Sequence, residues 1–331
     1  MKYRKLGHGL EVSAIGIGCM PMIKGGNILY GEQADLGESV KTIHKAIDLG
    51  VTFFDTAQVY GPFSNEELLG EAIKGKRENL VIASKFGFFI KDGVPSGVDG
   101  SPENARASVE GCLQRLGTDC IDLFYQHRVD PNIPIEETVG AMKDLIDEGK
   151  IKHIGLSEAG PATLARAAAV APIAALQSEY SLWERGIEED ILPTCREHGI
   201  GFVPYSPLGR GFLTGQIKKY DDIPDNDWRR SDPRWAEENF AENMKIVDVI
   251  GDVASKHGVS NAQIALAWLL AQGDDIVPIP GTKRRLTMED SVAAADVTLD
   301  ANDIETLKTA APVGKTSGNR YGDVGMSMVR L

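Results

Sequence analysis

The feature that most constrains this chain is a rhythm. Eight short stretches rich in β-branched and apolar residues recur along it: SAIGIGC (13–19), VTFFDTA (51–57), LVIASKF (80–86), IDLFYQH (121–127), IKHIGLS (151–157), AALQSEYSL (174–182), GFVPYSP (201–207) and DIVPIP (275–280). Helical patterns lie between them, and their ends are readable. Ser101 before Pro102 has the cap-then-proline order of a helix start. Ser64 with Glu67 reads as a capping box, and Ser260 with Gln263 opens the helical run IALAWLLAQ. Gly50, Gly117, Gly149 and Gly199 close helices just ahead of the next strand. Strands alternating with helices predict a parallel sheet. Eight such units predict a closed α/β barrel of eight strands and eight helices, the (β/α)8 or TIM barrel, as a single domain over 1–331. An open doubly wound sheet has no support, because no strand runs into a G-x-G-x-x-G turn. The longest irregular stretch, 209–239, follows the seventh strand and reads as a lid or insertion.

The 331 residues, 42% of them hydrophobic, suffice for a large core without disulfide or metal staples. A net charge of -13 argues against nucleic acid as a partner, and Lys283-Arg284-Arg285 is the one compact basic cluster. Cys19, Cys112, Cys120 and Cys195 have no metal-type spacing and read as reduced thiols of a cytoplasmic protein. No run reaches the roughly 18 apolar residues that span a membrane. The sequence leaves the oligomeric state open.

In such a barrel chemistry sits at the C-terminal ends of the strands. Two-residue alternation puts Val51, Phe53 and Asp55 on one face, then Val81, Ala83 and Lys85, then Leu123, Tyr125 and His127. Three successive strands thus end in an ionisable residue, and Tyr60 follows Asp55 closely. Burying Asp55 demands a partner, and Lys85 supplies one. A cation beside Tyr60 would ease loss of the phenolic proton, and His127 could hydrogen-bond a substrate oxygen. No nucleophile has a paired base, Cys19 included, and these four make a poor metal cage. The set suits proton exchange with an oxygen, as in carbonyl reduction, with electrons from a cofactor.

The residues DTAQVYG, IASKFG, LQRLGTDCIDLFYQH, VPYSPLGRGFLTG and VPIPGTKRR occur in the order in which similar segments occur in aldo-keto reductases. The chain resembles that family from about Leu6 onward. RRSDPRWAEENF and GNRYGDVGM resemble its single-barrel branch of about 330 residues. The resemblance implies NADP(H) bound without a Rossmann motif, NADH more weakly, and a small carbonyl or alcohol substrate. It implies Tyr60 as general acid and base, Lys85 tuning it, Asp55 holding Lys85, and His127 orienting the carbonyl. Ser157, Glu158 and Gln177 would hold the nicotinamide carboxamide, Glu158 standing where many members carry asparagine. Tyr205 would stack on the ring, with Gly18, Cys19 and Met20 nearby. Ser206, Pro207, Leu208, Gly209 and Gly211 would follow the pyrophosphate. Gly281, Thr282 and Lys283 would meet the adenosine phosphate. Asp290 and Ser291 stand where Glu and Asn usually meet adenine. Arg320 and Tyr321 would close the tail over the barrel mouth. Trp228 and Trp235 divide evenly between substrate contact and packing. A nicotinamide-binding regulatory subunit with slow or no turnover is the second reading, because such subunits share the fold.

Overall fold

The computed structural model describes residues 1–23 and 33–331. The chain opens with an antiparallel hairpin, β1 (Tyr3–Lys5) and β2 (Glu11–Ser13). The barrel follows: β3 (Ile17–Gly18), α1 (Leu36–Asp48), β4 (Phe53–Asp55), α2 (Ser64–Ile73) and β5 (Val81–Phe86). A second hairpin, β6 (Phe88–Lys91) and β7 (Val94–Val98), stands on the rim. Then come α3 (Pro102–Leu116), β8 (Ile121–Gln126), α4 (Ile135–Asp147), β9 (Ile151–Ser157), α5 (Pro161–Val170), β10 (Ile173–Glu179), α6 (Ile191–Glu197) and β11 (Gly201–Tyr205). Strands β3, β4, β5, β8, β9, β10 and β11 form one parallel sheet in that spatial order.

The eighth predicted strand closes the sheet on itself, but through a thinned ladder. Val277 and Ile279 donate to the carbonyls of Phe202 and Pro204 on one side, at 2.9 and 3.1 Å. On the other side Gly16 and Gly18 donate to Pro278 and Pro280, at 3.0 and 3.1 Å. The two prolines have no N–H to return, so this segment gives hydrogen bonds to β11 and only receives them from β3. The closed parallel sheet with helices outside is a TIM barrel.

Alternation along the strands separates two cores. Phe53, Ala83, Leu123, Tyr125, Ala175, Val203, Val277 and Ile279 fill the interior, sealed from below by Leu6, Leu10 and Val12 of the hairpin region. Phe54, Ile82, Phe124, Ile154, Leu176 and Phe202 point outward, under the helices. Gly155 leaves room for the Tyr125 ring: a Cβ there would lie 2.3 Å from it.

Six helix ends match their sequence signals. Ser101 and Ser260 accept from the backbone N–H three residues on, at 3.2 and 3.1 Å. Gly50, Gly117, Gly149 and Gly199 take the left-handed backbone, at φ 85°, 63°, 75° and 66°. Ser64 is a correction. Helix α2 starts at Ser64 itself, after Phe63 at φ 70°, and its hydroxyl donates backward to the Gly61 carbonyl. Neither hairpin is among the eight predicted strands; their strands are short and mostly exposed.

The stretch after β11 is a packed insertion of short 3-10 turns leading into α7 (Glu237–His257). Phe212, Trp235 and Phe240 pack with Trp183 around it, ring centroids 4.2 to 6.3 Å apart. Helices α8 (Asn261–Leu270), α9 (Arg285–Ala293), α10 (Ala301–Ala310) and α11 (Asp323–Met326) complete the chain. Residues beyond α10 run back over the barrel rim. There Gly160 donates to the Leu331 carbonyl at 2.7 Å and Arg330 to that of Glu158 at 2.8 Å.

Candidate active site

A cavity of about 590 Å³ occupies the C-terminal mouth of the barrel. Asp55, Tyr60 and His127 line it, at the ends of β4 and β8 and in the turn after β4. Lys85 lies behind them, completely buried. Its Nζ donates to Asp55 Oδ1, to the Thr56 carbonyl at 2.9 Å and to Tyr60 Oη at 3.2 Å. Asp55 Oδ2 accepts from Gln177 Nε2 at 2.8 Å. One connected line therefore runs Gln177–Asp55–Lys85–Tyr60. The Tyr60 and His127 rings meet edge to face, centroids 5.8 Å apart, and Phe88 closes on the other side of His127 at 4.9 Å.

Asn65 holds this arrangement in place, and the sequence reading missed it inside the α2 pattern. Its Nδ2 donates to the Cys19 and Met22 carbonyls at 2.8 and 2.9 Å, while its Oδ1 accepts from Thr56 Oγ1 at 2.6 Å. The turn carrying Tyr60 is thereby tied to the end of β3.

Burial disfavours charge on Lys85, but Asp55 and Tyr60 together more than offset it, and the ammonium is held above its usual range. His127 is driven well below the ordinary imidazole value, first by burial and then by Lys85 and Arg128, so it stays neutral. Tyr60 departs from expectation. Burial pushes the phenol up, Lys85 pulls it back, and the balance stays above the ordinary value. The nearby Asp55 charge adds to burial, and the Lys85 cation, whose closest contact goes to Asp55, does not offset the two.

The other wall carries Ser157, Gln177, Tyr205, Ser206, Pro207, Leu208 and Gly211, with Gly18, Met20, Gly281, Thr282, Lys283, Asp290 and Ser291 toward the far edge. Arg284 lines the cavity beside Lys283, whereas Arg285 turns to Glu38, Nε to Oε1 2.9 Å. Asp290 also ties α9 to the start of α8, accepting from Ser260 Oγ and Gln263 Nε2, both at 2.8 Å.

Three expected cofactor contacts are placed elsewhere. Cys19 follows Gly18 outward into the helix-facing core, and burial pushes its thiol up. Gly209 backs onto Trp183, where a Cβ would sit 2.3 Å from the indole. Glu158 is turned from the cavity to the tail. Its oxygens accept from Arg320 at 3.1 and 2.9 Å and from the Glu179 N–H at 3.1 Å.

The structure adds lining residues with no sequence signal of their own: Arg128, Arg210, Phe88 and Pro95. Tyr321 reaches the mouth as expected and shares a 2.7 Å hydrogen bond with Tyr205. Of the two loop tryptophans, Trp228 lines the cavity and Trp235 is fully buried packing. Among the described residues no group of acids, histidines and cysteines is arranged to hold a metal, and no helix is long and apolar enough to cross a membrane.

A closed parallel barrel with an acid, a lysine, a histidine and a tyrosine at its mouth defines a class of oxidoreductase, and the comparisons agree. Residues 14–312 match the model of the aldo/keto reductase family. The chain is 47% identical over 319 residues to probable aldo-keto reductase 1 of Glycine max, covering 96% of this chain and 91% of that protein. The structure of the glycerol dehydrogenase AKR11B4 from Gluconobacter oxydans superposes with a TM-score of 0.82 at 28% identity, over 93% of this chain and 94% of that one. A thermostable aldo-keto reductase, Tm1743, solved with the inhibitor epalrestat, gives 0.75 at 30% identity, over 94% and 100% of the two chains. The chain belongs to the aldo/keto reductase family.

Proposed function

We propose that this chain is an NADP(H)-dependent oxidoreductase for aldehydes, ketones or the matching alcohols, with Tyr60 as the group that exchanges the proton. The observation that carries the reading is the Tyr60 hydroxyl on the cavity wall, 3.2 Å from Lys85 Nζ and beside neutral His127.

The residues present fit a nicotinamide dinucleotide. Ser157 Oγ and the Gln177 amide offer polar contacts near Tyr60, and the Tyr205 ring offers a face. Lys283 and Arg284 offer two cations at the far edge, where barrels of this kind commonly hold phosphate. Gly211, at φ 95°, brings backbone to the wall without a side chain. When bound, the nicotinamide supplies or accepts the hydride. The protein supplies the rest. His127, neutral, hydrogen-bonds the carbonyl oxygen and aligns it. Tyr60 gives that oxygen its proton as the hydride pair reaches carbon, so the C=O bond becomes an alcohol. The tyrosinate left behind is stabilised by Lys85 and recovers its proton from water. Asp55 keeps Lys85 charged and in place.

Purified protein with NADPH and 4-nitrobenzaldehyde, followed at the nicotinamide absorbance, tests this. Turnover that Tyr60→Phe removes supports the reading. Tight cofactor binding without turnover on aldehydes, ketones, quinones and secondary alcohols would instead support a regulatory subunit.

A further inference from the structure

Arg128 follows His127 at the end of β8 and lines the cavity. Two of its N–H groups are used, both on Nη1: one donates to the His127 carbonyl at 2.7 Å, the other to Ser157 Oγ at 3.1 Å. These fix the guanidinium plane. Among the described residues Nε and Nη2 have no acceptor, and no carboxylate stands within ion-pair range. The neighbouring cations differ. Arg210 is paired with Glu179 and Asp232, and Arg320 with Glu158. A half-buried cation with no carboxylate in direct contact is costly to hold. Its charge is retained all the same: burial works against it, but Tyr205, Tyr321 and Glu158 hold it above its usual value.

A planar fork with Nε and Nη2 open matches a carboxylate, which it can grip with two parallel hydrogen bonds. The surrounding protein carries a net charge of -13 and repels anions at long range. A local cation in the wall is therefore what would admit one. We propose that Arg128 is a specificity-determining residue that selects carbonyl substrates bearing a carboxylate close to the reacting carbon. The inference rests on the reductase reading and names the substrate class for the same cavity. Lys283 and Arg284 follow the eighth strand, across the mouth from β8, so they serve a different part of the cavity.

The test compares 4-oxobutanoate with its methyl ester, which share a carbon chain and differ in the charge. In the unaltered protein kcat/KM should favour the carboxylate. Arg128→Met should reduce that preference by about 10- to 100-fold, the usual worth of a charge-assisted hydrogen bond. Arg128→Lys, which keeps the charge but loses the fork, should restore part of it. A preference unchanged in Arg128→Met overturns the proposal. So does an equal loss on both substrates together with weaker NADPH binding, which would assign Arg128 to the cofactor. Activity on the ester without preference for the acid leaves the reductase reading intact and removes this one. Calorimetric titration with butanoate, which has no reducible carbonyl, makes the test independent of turnover. Binding that Arg128→Met abolishes supports the assignment, and binding that is absent or unaffected overturns it.

Discussion

Arg320 donates to both carboxylate oxygens of Glu158, at 3.1 and 2.9 Å, and both residues are buried. The pair bolts the C-terminal segment to the end of β9 and sets Tyr321 beside Tyr205 at the mouth. Burial works to raise the Glu158 carboxyl, but Arg320, helped by Arg128 and the Glu179 N–H, outweighs it and the group sits low. Arg320→Met would leave that carboxylate buried and unpaired, a change worth about 3–5 kcal/mol. The tail should release before the barrel unfolds, so limited proteolysis should remove residues past α10 while circular dichroism still reports a folded barrel. Glu158→Gln combined with Arg320→Met should be milder than Arg320→Met alone. An uncleaved tail in Arg320→Met would refute the bolt.

Tyr60→Phe should lower kcat by about 10²- to 10⁴-fold, the usual worth of a general acid. Dissociation constants for NADPH should barely move, because the ring still fills its place. Near-normal kcat would remove Tyr60 from the proton step.

Since the Tyr60 phenol lies above its ordinary value, carbonyl reduction should hold its rate up to at least about pH 10. Alcohol oxidation needs the phenolate and should climb through that range. Lys85→Met removes a cation bonded to the hydroxyl, so the oxidative limb should move to still higher pH. A pH–rate profile that Lys85→Met leaves in place would contradict the coupling.

The same substitution strands Asp55 among buried groups. Burial already pushes this carboxyl up, and Lys85 is the main opposing influence. Loss of Lys85 should destabilise the fold by about 3–5 kcal/mol at neutral pH. A carboxyl whose folded value is raised stabilises the fold only below its unfolded value near 4 and loses that as pH rises. The urea midpoint of Lys85→Met should therefore fall with rising pH more steeply than that of the unaltered protein. Adding Asp55→Asn should recover most of the loss.

His127 works in the opposite direction. Its folded value is depressed, so its contribution is intact above about pH 6.5 and is lost as pH falls toward the folded value. The slope is at most about 1.4 kcal/mol per pH unit for one proton. Urea unfolding at pH 7 and pH 5 should show this loss in the unaltered protein and a smaller one in His127→Gln. Identical losses would mean that His127 is protonated in the folded state.

Lys283→Ala should raise the dissociation constant for NADPH by about 5- to 150-fold and leave that for NADH nearly unchanged, since a charge-assisted phosphate contact is worth about 1–3 kcal/mol. Tryptophan fluorescence quenching by each cofactor reads both constants. Equal weakening would deny Lys283 a phosphate role.

The strand register was written in the sequence, because side chains in a strand alternate strictly. Placing Phe53 inside a barrel forces Asp55 to the rim, and Ala83 and Tyr125 do the same for Lys85 and His127. The helix stops were equally local, set by glycines at left-handed positions. Contacts between distant segments were not legible. No pattern along the chain marks Asn65 as the tie between β3 and the Tyr60 turn. None shows that Glu158 would be claimed by Arg320, 162 residues away. The direction of the Tyr60 shift was also decided in three dimensions. Sequence supplies the neighbouring cation, but the competition between its attraction and the loss of water depends on depth and on which acceptor Lys85 reaches first. Local periodicity thus determined the barrel and the residues at its mouth. Only the folded chain decided which of them face the cavity and which are spent on holding it together, because that depends on burial and pairing between residues far apart in sequence.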